Sequence, residues 1–209
     1  MKYIKAIFVV LLVFLLAQNS FAKETQQSAI SVELEKLYAE DQADRKTVGP
    51  NTDWEAITIK DEQREIRVKE LLALGSLGGG SDYYHAAMIL QHATSPNDYL
   101  LAHDLCVIAI SKGEQKAKWL AAASMDRFLV SVGRQQRFGT QFLSNKSFRP
   151  PHLVDVDPNV SDVLRQEFDV PSLENAKKRE AEMENEFNRR RKEWIHHRAQ
   201  LPLLYKKSH

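Results

Sequence analysis

Between Gly78 and Gly133 the chain is punctuated so closely that little except a stack of short helices fits. Gly78-Gly79-Gly80 stops one element, and Ser81-Asp82 starts the next, the short run YYHAAMILQH. Then comes SPND: Ser95 is placed to cap, Pro96 to take the first helical position, and Asp98 to sit in the first turn. Each choice complements the free N–H groups of a helix start. This helix is expected to end at Gly113 and the following one, EQKAKWLAAASMDRFLVSV, at Gly133, since glycine past the last turn accepts the left-handed closing conformation. Alanines such as Ala86, Ala87, Ala102, Ala109, Ala121, Ala122 and Ala123 let the helix axes approach closely. The first two helices make a unit of just over thirty residues, the scale of tetratricopeptide and Sel1-type hairpins, with no second copy in the sequence.

The flanks extend the pattern. SAISVELEKLYAEDQADRK places Ile30, Leu34 and Leu37, with Val32 beside them, on an amphipathic helix that VGPNTD breaks. A second helix is predicted from Trp54, with Asp53 as cap and an apolar face of Ile66, Val68 or Leu71, and Leu72. After Gly133 the character changes. Residues 134–171 carry Pro150, Pro151, Pro158 and Pro171 and read as extended and irregular, with one short helix near NVSDVLRQEF. Long ordered loops are uncommon unless they serve a site. From Ser172 to about Gln200 the chain is helical again and highly charged, with only Met183, Phe187 and Trp194 as a thin apolar stripe. Its cluster Arg189-Arg190-Arg191-Lys192 reads as a water-exposed helix end, with contact to anionic lipid or a partner as the alternative. The expected fold class is mainly α: helical hairpins, a long irregular segment and a charged C-terminal helix.

The N-terminal MKYIKAIFVVLLVFLLAQNSFA has a positive start, a short apolar run from Ala6 to Ala17 and a small-x-small ending at Ser20-Phe21-Ala22. That is the pattern of a secretory signal peptide, with cleavage after Ala22 and an exported, periplasmic or secreted product. The run falls short of the roughly 20 residues that span a bilayer, so no membrane span is expected after cleavage; an uncleaved anchor is the other reading. The organisation expected is residues 1–22 as signal, 23–171 as a helical domain and 172–209 as charged helix and tail.

Removing Lys2 and Lys5 takes the formal charge of the remaining 187 residues from +1 to −1. So balanced a protein has no global field to draw in nucleic acid. The lone cysteine, Cys106, forbids an intramolecular disulfide and, among apolar neighbours, reads as a buried inert thiol.

Four polar groups stand out. In DQADR, Asp41 and Arg45 share a helix face at i, i+4 beside Gln42, an ordinary ion-pair spacing. Gln91-His92 ends a short apolar helix. His85, His92 and His103 fall short of a zinc site, because two turns separate the first two rings and no H-E-x-x-H or C-x-x-C supports one. No metal or cofactor is expected. Asp126-Arg127 is embedded in LAAASMDRFLV, where a protected charge needs partners. The last group is GRQQRFGTQF, Gly133 to Phe142, rich in amides that both donate and accept, with Gly139 free for positive φ. Gln136, Thr140 or Gln141 is expected to meet Asp126-Arg127 or the Gln91-His92 turn.

Asp41 to Arg45, Gln91 to Ala93, Asp126-Arg127, Gly133 to Phe142 and the block LRQEFDVPSLENA, Leu164 to Ala176, in that order resemble a bacterial domain family of unassigned function with a Q-x-[YF]-G-T-Q signature. The resemblance covers most of the chain after Ala22 and implies a shared site without naming an activity. Phe138 stands where family members often have tyrosine, which counts against a catalytic hydroxyl there.

Two functions fit. One is a cell-envelope binding module with an unidentified protein or peptide partner and a polar site of Gln91, His92, Asp126, Arg127, Gln136, Thr140 and Gln141. The other is a hydrolase or transferase with His92 as general base and Arg127 as anion stabiliser. An open cleft holding His92, Asp126 and Gln141 favours the enzyme; burial with every group paired favours the module.

Overall fold

The structure is a computed structural model that describes residues 2–46, 52–75, 77–143 and 149–207. The fold is mainly α. Its elements are α1 (Lys2–Lys46), α2 (Trp54–Ala73), α3 (Gly80–Leu90), α4 (Pro96–Ser111), α5 (Ala117–Ser131), β1 (Phe142–Leu143), β2 (His152–Leu153), α6 (Asp162–Glu167) and α7 (Leu173–Lys207). No helix among the described residues is long and apolar enough to cross a membrane. Packing divides the chain into two compact units, Met1–Leu120 and Ala121–His209.

In the first unit the punctuation acts as its chemistry dictates. The Asp53 side chain accepts from Ala56 N–H, and the Ser95 hydroxyl accepts from Asn97 N–H with Pro96 behind it. Gly113 closes α4 at φ +92°. The hairpin of α3 and α4 is the tightest pairing of the unit, and α1 and α2 pack on α3. Gly80 explains the closeness: a Cβ there would stand 2.9 Å from the Ala109 carbonyl oxygen and 2.9 Å from the Glu114 Cβ. Ala86, Ala87, Ala102 and Ala109 are fully buried around this approach. Cys106 is buried with them, and burial pushes its thiol up to about 12.

Two expected apolar positions are corrected. Ile66 is 59% exposed, while Arg64, Val68 and Leu71 are buried. At 100° per residue, Ile66 lies some 200° from Arg64 and from Val68, so choosing the Val68 face turns it outward. Val32 is exposed for the same reason, two residues from the buried Ile30 and Leu34.

In the second unit, the described residues on either side of 144–148 are more ordered than their prolines suggest. β1 and β2 pair antiparallel, Phe142 with Leu153 and Leu143 with His152, and Gln136 bridges to Val156 in parallel. α6 forms under a Ser161 cap that accepts from Leu164 N–H. α7 starts at Leu173 over Ser172, whose hydroxyl accepts from Asn175 N–H. It covers β2, and its Glu180 accepts from Leu153 N–H at 2.8 Å.

Candidate functional site

The polar residues gather into two clusters, one in each unit. In the first, α1 presents Asp41, Gln42 and Arg45, α2 presents Asp61 and Arg64, and the turn after α3 presents His92. Asp41 is fully buried. Its Oδ1 meets Arg45 at 2.8 Å and His92 Nδ1 at 3.0 Å, and its Oδ2 accepts from the Gln42 amide at 2.8 Å. Arg45 Nε donates to His92 Nε2 at 3.1 Å. A guanidinium can only donate, so His92 Nε2 holds a lone pair and the ring proton sits on Nδ1, facing Asp41. The arrangement fixes one tautomer and one ring orientation.

Arg45 also forks onto both oxygens of Asp61, at 3.3 and 2.8 Å, and Arg64 reaches Asp61 at 2.8 Å and Asp44 as well. Lys60 donates to Asp44 at 2.8 Å. The Lys60 hydrogen bond, with Arg64 behind it, holds the Asp44 carboxyl below the usual aspartate range. Gln91 is buried and turns its amide to the Met88 sulfur. A groove of about 410 Å³ runs past this network, lined by residues that include Glu40, Asp44, Lys60 and Arg64. Neither His92 nor Asp41 lines it.

The second cluster centres on Asp126 of α5, fully buried. Its carboxylate accepts from Arg137 N–H at 2.7 Å, Phe138 N–H at 3.0 Å, Thr140 N–H at 3.0 Å and the Thr140 hydroxyl at 2.8 Å. Gly139, at φ +84°, turns the backbone so that N–H groups on either side converge on one carboxylate. Gln136 closes the loop from within. Its amide nitrogen donates to the carbonyls of Gln141 and Val154 at 3.0 and 2.8 Å, and its Oε1 accepts from Gln141 N–H at 2.8 Å. The Gln141 amide donates to the Ala123 carbonyl at 3.3 Å and to the Thr140 hydroxyl at 3.0 Å.

The opposite edge of the loop is held by Arg165, only 2% exposed. It donates to the carbonyls of Phe138 at 3.1 Å, Val160 at 2.7 Å and Arg137 at 3.3 Å, and to Asp162 at 3.0 Å. The Leu173 N–H foremost, with Arg165, holds the Asp162 carboxyl below its usual range. Phe138 packs with Ala122 and Val170, its ring 4.9 Å from that of Phe168. An apolar ring suits that place without a hydroxyl.

The expected meeting of the GTQ loop with Asp126 is thus realised through Thr140. Gln136 and Gln141 serve the loop and the α5 backbone. Arg127 is half-buried on α5, and Gln91 and His92 belong to the first unit. Arg64, Asp61 and Arg165 belong to these clusters without standing out in the sequence. Arg64 had a readable signal, since it shares the i, i+4, i+7 face with Val68 and Leu71. Arg165 lay within the LRQEF block but carried no mark of its role.

Among the described residues, no group of three His, Cys, Asp or Glu is placed to hold a metal ion. No family model matches the chain, and no curated protein and no solved structure matches it.

Beside the locked loop runs an outward-facing groove of about 490 Å³. Leu153, Val156, Pro158 and Leu173 give it an apolar floor, and Asp155, Lys177 and Glu180 a charged rim. Val156 and Leu173 also flank Gly139, so the loop and the groove share a wall.

Proposed function

We propose that the chain is an exported, non-enzymatic binding module of the cell envelope, and that the GTQ loop is the lock that shapes its binding groove. One observation carries this reading: four donors of the chain itself satisfy the buried Asp126 carboxylate, leaving it no capacity for a substrate. What the lock leaves outward is the groove of Leu153, Val156, Pro158 and Leu173 with Lys177 and Glu180 at its rim, a shape and polarity suited to an extended peptide. The resemblance to a family with a Q-x-[YF]-G-T-Q signature supports a shared arrangement and names no activity.

The test is native mass spectrometry of the protein purified from its own cells, followed by anisotropy titration of any polypeptide retained. Val156→Glu should weaken that binding at least about tenfold, the scale of losing a small apolar contact at an interface centre, with the melting temperature nearly unchanged. His92→Gln should leave it unaltered.

The second reading, a hydrolase or transferase, draws on the Asp41–His92 hydrogen bond, which orients the ring as a base-orienting carboxylate does. Its difficulty is that Arg45 already occupies His92 Nε2. Turnover of an ester or phosphoester by the purified chain, abolished in His92→Gln, would establish it over the binding reading.

A further inference from the structure

We propose that the distal half of α7, residues 187–207, is a peripheral membrane segment that lies on an anionic lipid surface. The proposal concerns a different face from the groove and stands or falls independently of it.

The first observation is charge. Residues 188–209 hold seven basic side chains against the single acidic Glu193, a net +6, whereas residues 23–187 sum to −7. The near-zero charge of the whole chain conceals this separation. Glu186 and Glu193 neutralise part of the cluster by pairing with Arg189 and Arg190. Arg191 and Lys192 have no acidic partner among the described residues.

The second observation is where the apolar stripe loses its cover. Met183 and Phe187 are half-buried and share a groove with Pro151. One heptad beyond Phe187, Trp194 is 56% exposed, and Ile195 beside it is 51% exposed. The Arg198 guanidinium lies over the Trp194 ring, 5.0 Å from its centroid. The sequence then continues through Leu201, Leu203, Leu204 and Tyr205 to Lys206 and Lys207. A tryptophan flanked by arginines on a basic helix has the composition of a segment that lies in the headgroup region, ring inward and charges outward.

Charge complementarity selects an anionic partner, and the apolar side chains select among anions. A nucleic acid would leave Ile195 in water. A second copy packed side by side along the same stripe would bring two like-charged clusters, each Arg189 to Lys192, together. A lipid surface accommodates both the apolar and the cationic parts.

The experiment is co-sedimentation of the full chain with phosphatidylglycerol-containing vesicles and with pure phosphatidylcholine vesicles. The difference between the two lipids is the readout, because the apolar N-terminal residues act on both. Arg190→Gln, Arg191→Gln and Lys192→Gln together should weaken the anionic preference by about a hundredfold, at about fivefold for each basic residue near the surface. With Trp54→Phe and Trp119→Phe, Trp194 becomes the lone tryptophan, and its emission should shift to the blue with anionic vesicles. That second measurement keeps the test decisive if the triple variant misfolds. The proposal is overturned by no anionic preference, by an unchanged triple variant, or by an unshifted Trp194. It is equally overturned by tighter binding to an oligonucleotide than to vesicles, or by a lipid-free dimer that Trp194→Ala dissociates.

Discussion

Asp126 and Arg165 hold the two backbone polar groups of one residue: Phe138 N–H donates to the Asp126 carboxylate at 3.0 Å, and the Phe138 carbonyl accepts from Arg165 at 3.1 Å. A buried anion takes the loop's amide protons while a buried cation takes its carbonyls. The two charges never touch directly, yet each is satisfied through the backbone between them. This lets an irregular segment pack against α5 with the amides and carbonyls of Arg137 and Phe138 paired.

Thr140→Val should therefore destabilise the protein by about 1.5–3 kcal/mol, the scale of a hydrogen bond to a charged group. Thr140→Ser should cost less than about 1 kcal/mol because the hydroxyl remains. Arg165→Met should cost about 3–5 kcal/mol by stranding buried carbonyls and unbalancing the Asp126 charge. Combined with Thr140→Val it should be non-additive by at least about 0.5 kcal/mol, since both act on one loop. Urea unfolding of the four variants decides this, and strict additivity would show the two edges to be independent.

Gly139→Ala tests the turn without crowding it. A Cβ there would meet Val156, Ala176 and Leu173 at 3.7–4.0 Å, ordinary contact distances. The cost should come from the backbone at φ +84° and amount to about 1–2 kcal/mol. A melting temperature equal to that of the parent would mean the loop reaches Asp126 by another path.

Asp41→Ala should be the most damaging single change in the first unit, at about 3–5 kcal/mol. It removes the acceptor of the Arg45, His92 and Gln42 contacts in one step. Asp41→Asn should restore part of that loss by keeping an acceptor near His92. Equilibrium unfolding compares the two, and equal stabilities would rule out the carboxylate as the organising group.

Acid should weaken the fold through His85. Its ring stacks on Tyr38 at 4.3 Å, and burial lowers its readiness to take a proton, against the pull of Asp82, Glu35 and Glu114. The unfolded chain therefore binds that proton at a higher pH than the folded chain, and stability falls as pH drops through the ordinary histidine range. His85→Phe keeps a stacked ring and removes the proton site. Its stability should decline less between pH 7.5 and pH 5 than the parent's; an identical slope would remove His85 from the account.

Much of the fold is legible in the sequence. Asp53, Ser95-Pro96, Gly113 and Gly133 mark helix ends because caps and left-handed turns are local interactions, satisfied within a few residues. The contact of Thr140 with Asp126 was also foreseeable, because a charge embedded in LAAASMDRFLV needs donors and the nearest amide-rich segment follows directly. The face chosen by α2 was not. Ile66 looks as apolar as Val68, but Asp41, Asp44 and Asp61 draw Arg64 inward, and 200° of helix then carries Ile66 out. Nor could the sequence assign His92 to Asp41 and Arg45, 51 and 47 residues away, or give Arg165 its carbonyls 27 and 28 residues back. A helix cap is decided by its own turn, whereas the partner of a buried charge is decided by whichever distant segment the packing of the core brings within hydrogen-bond reach.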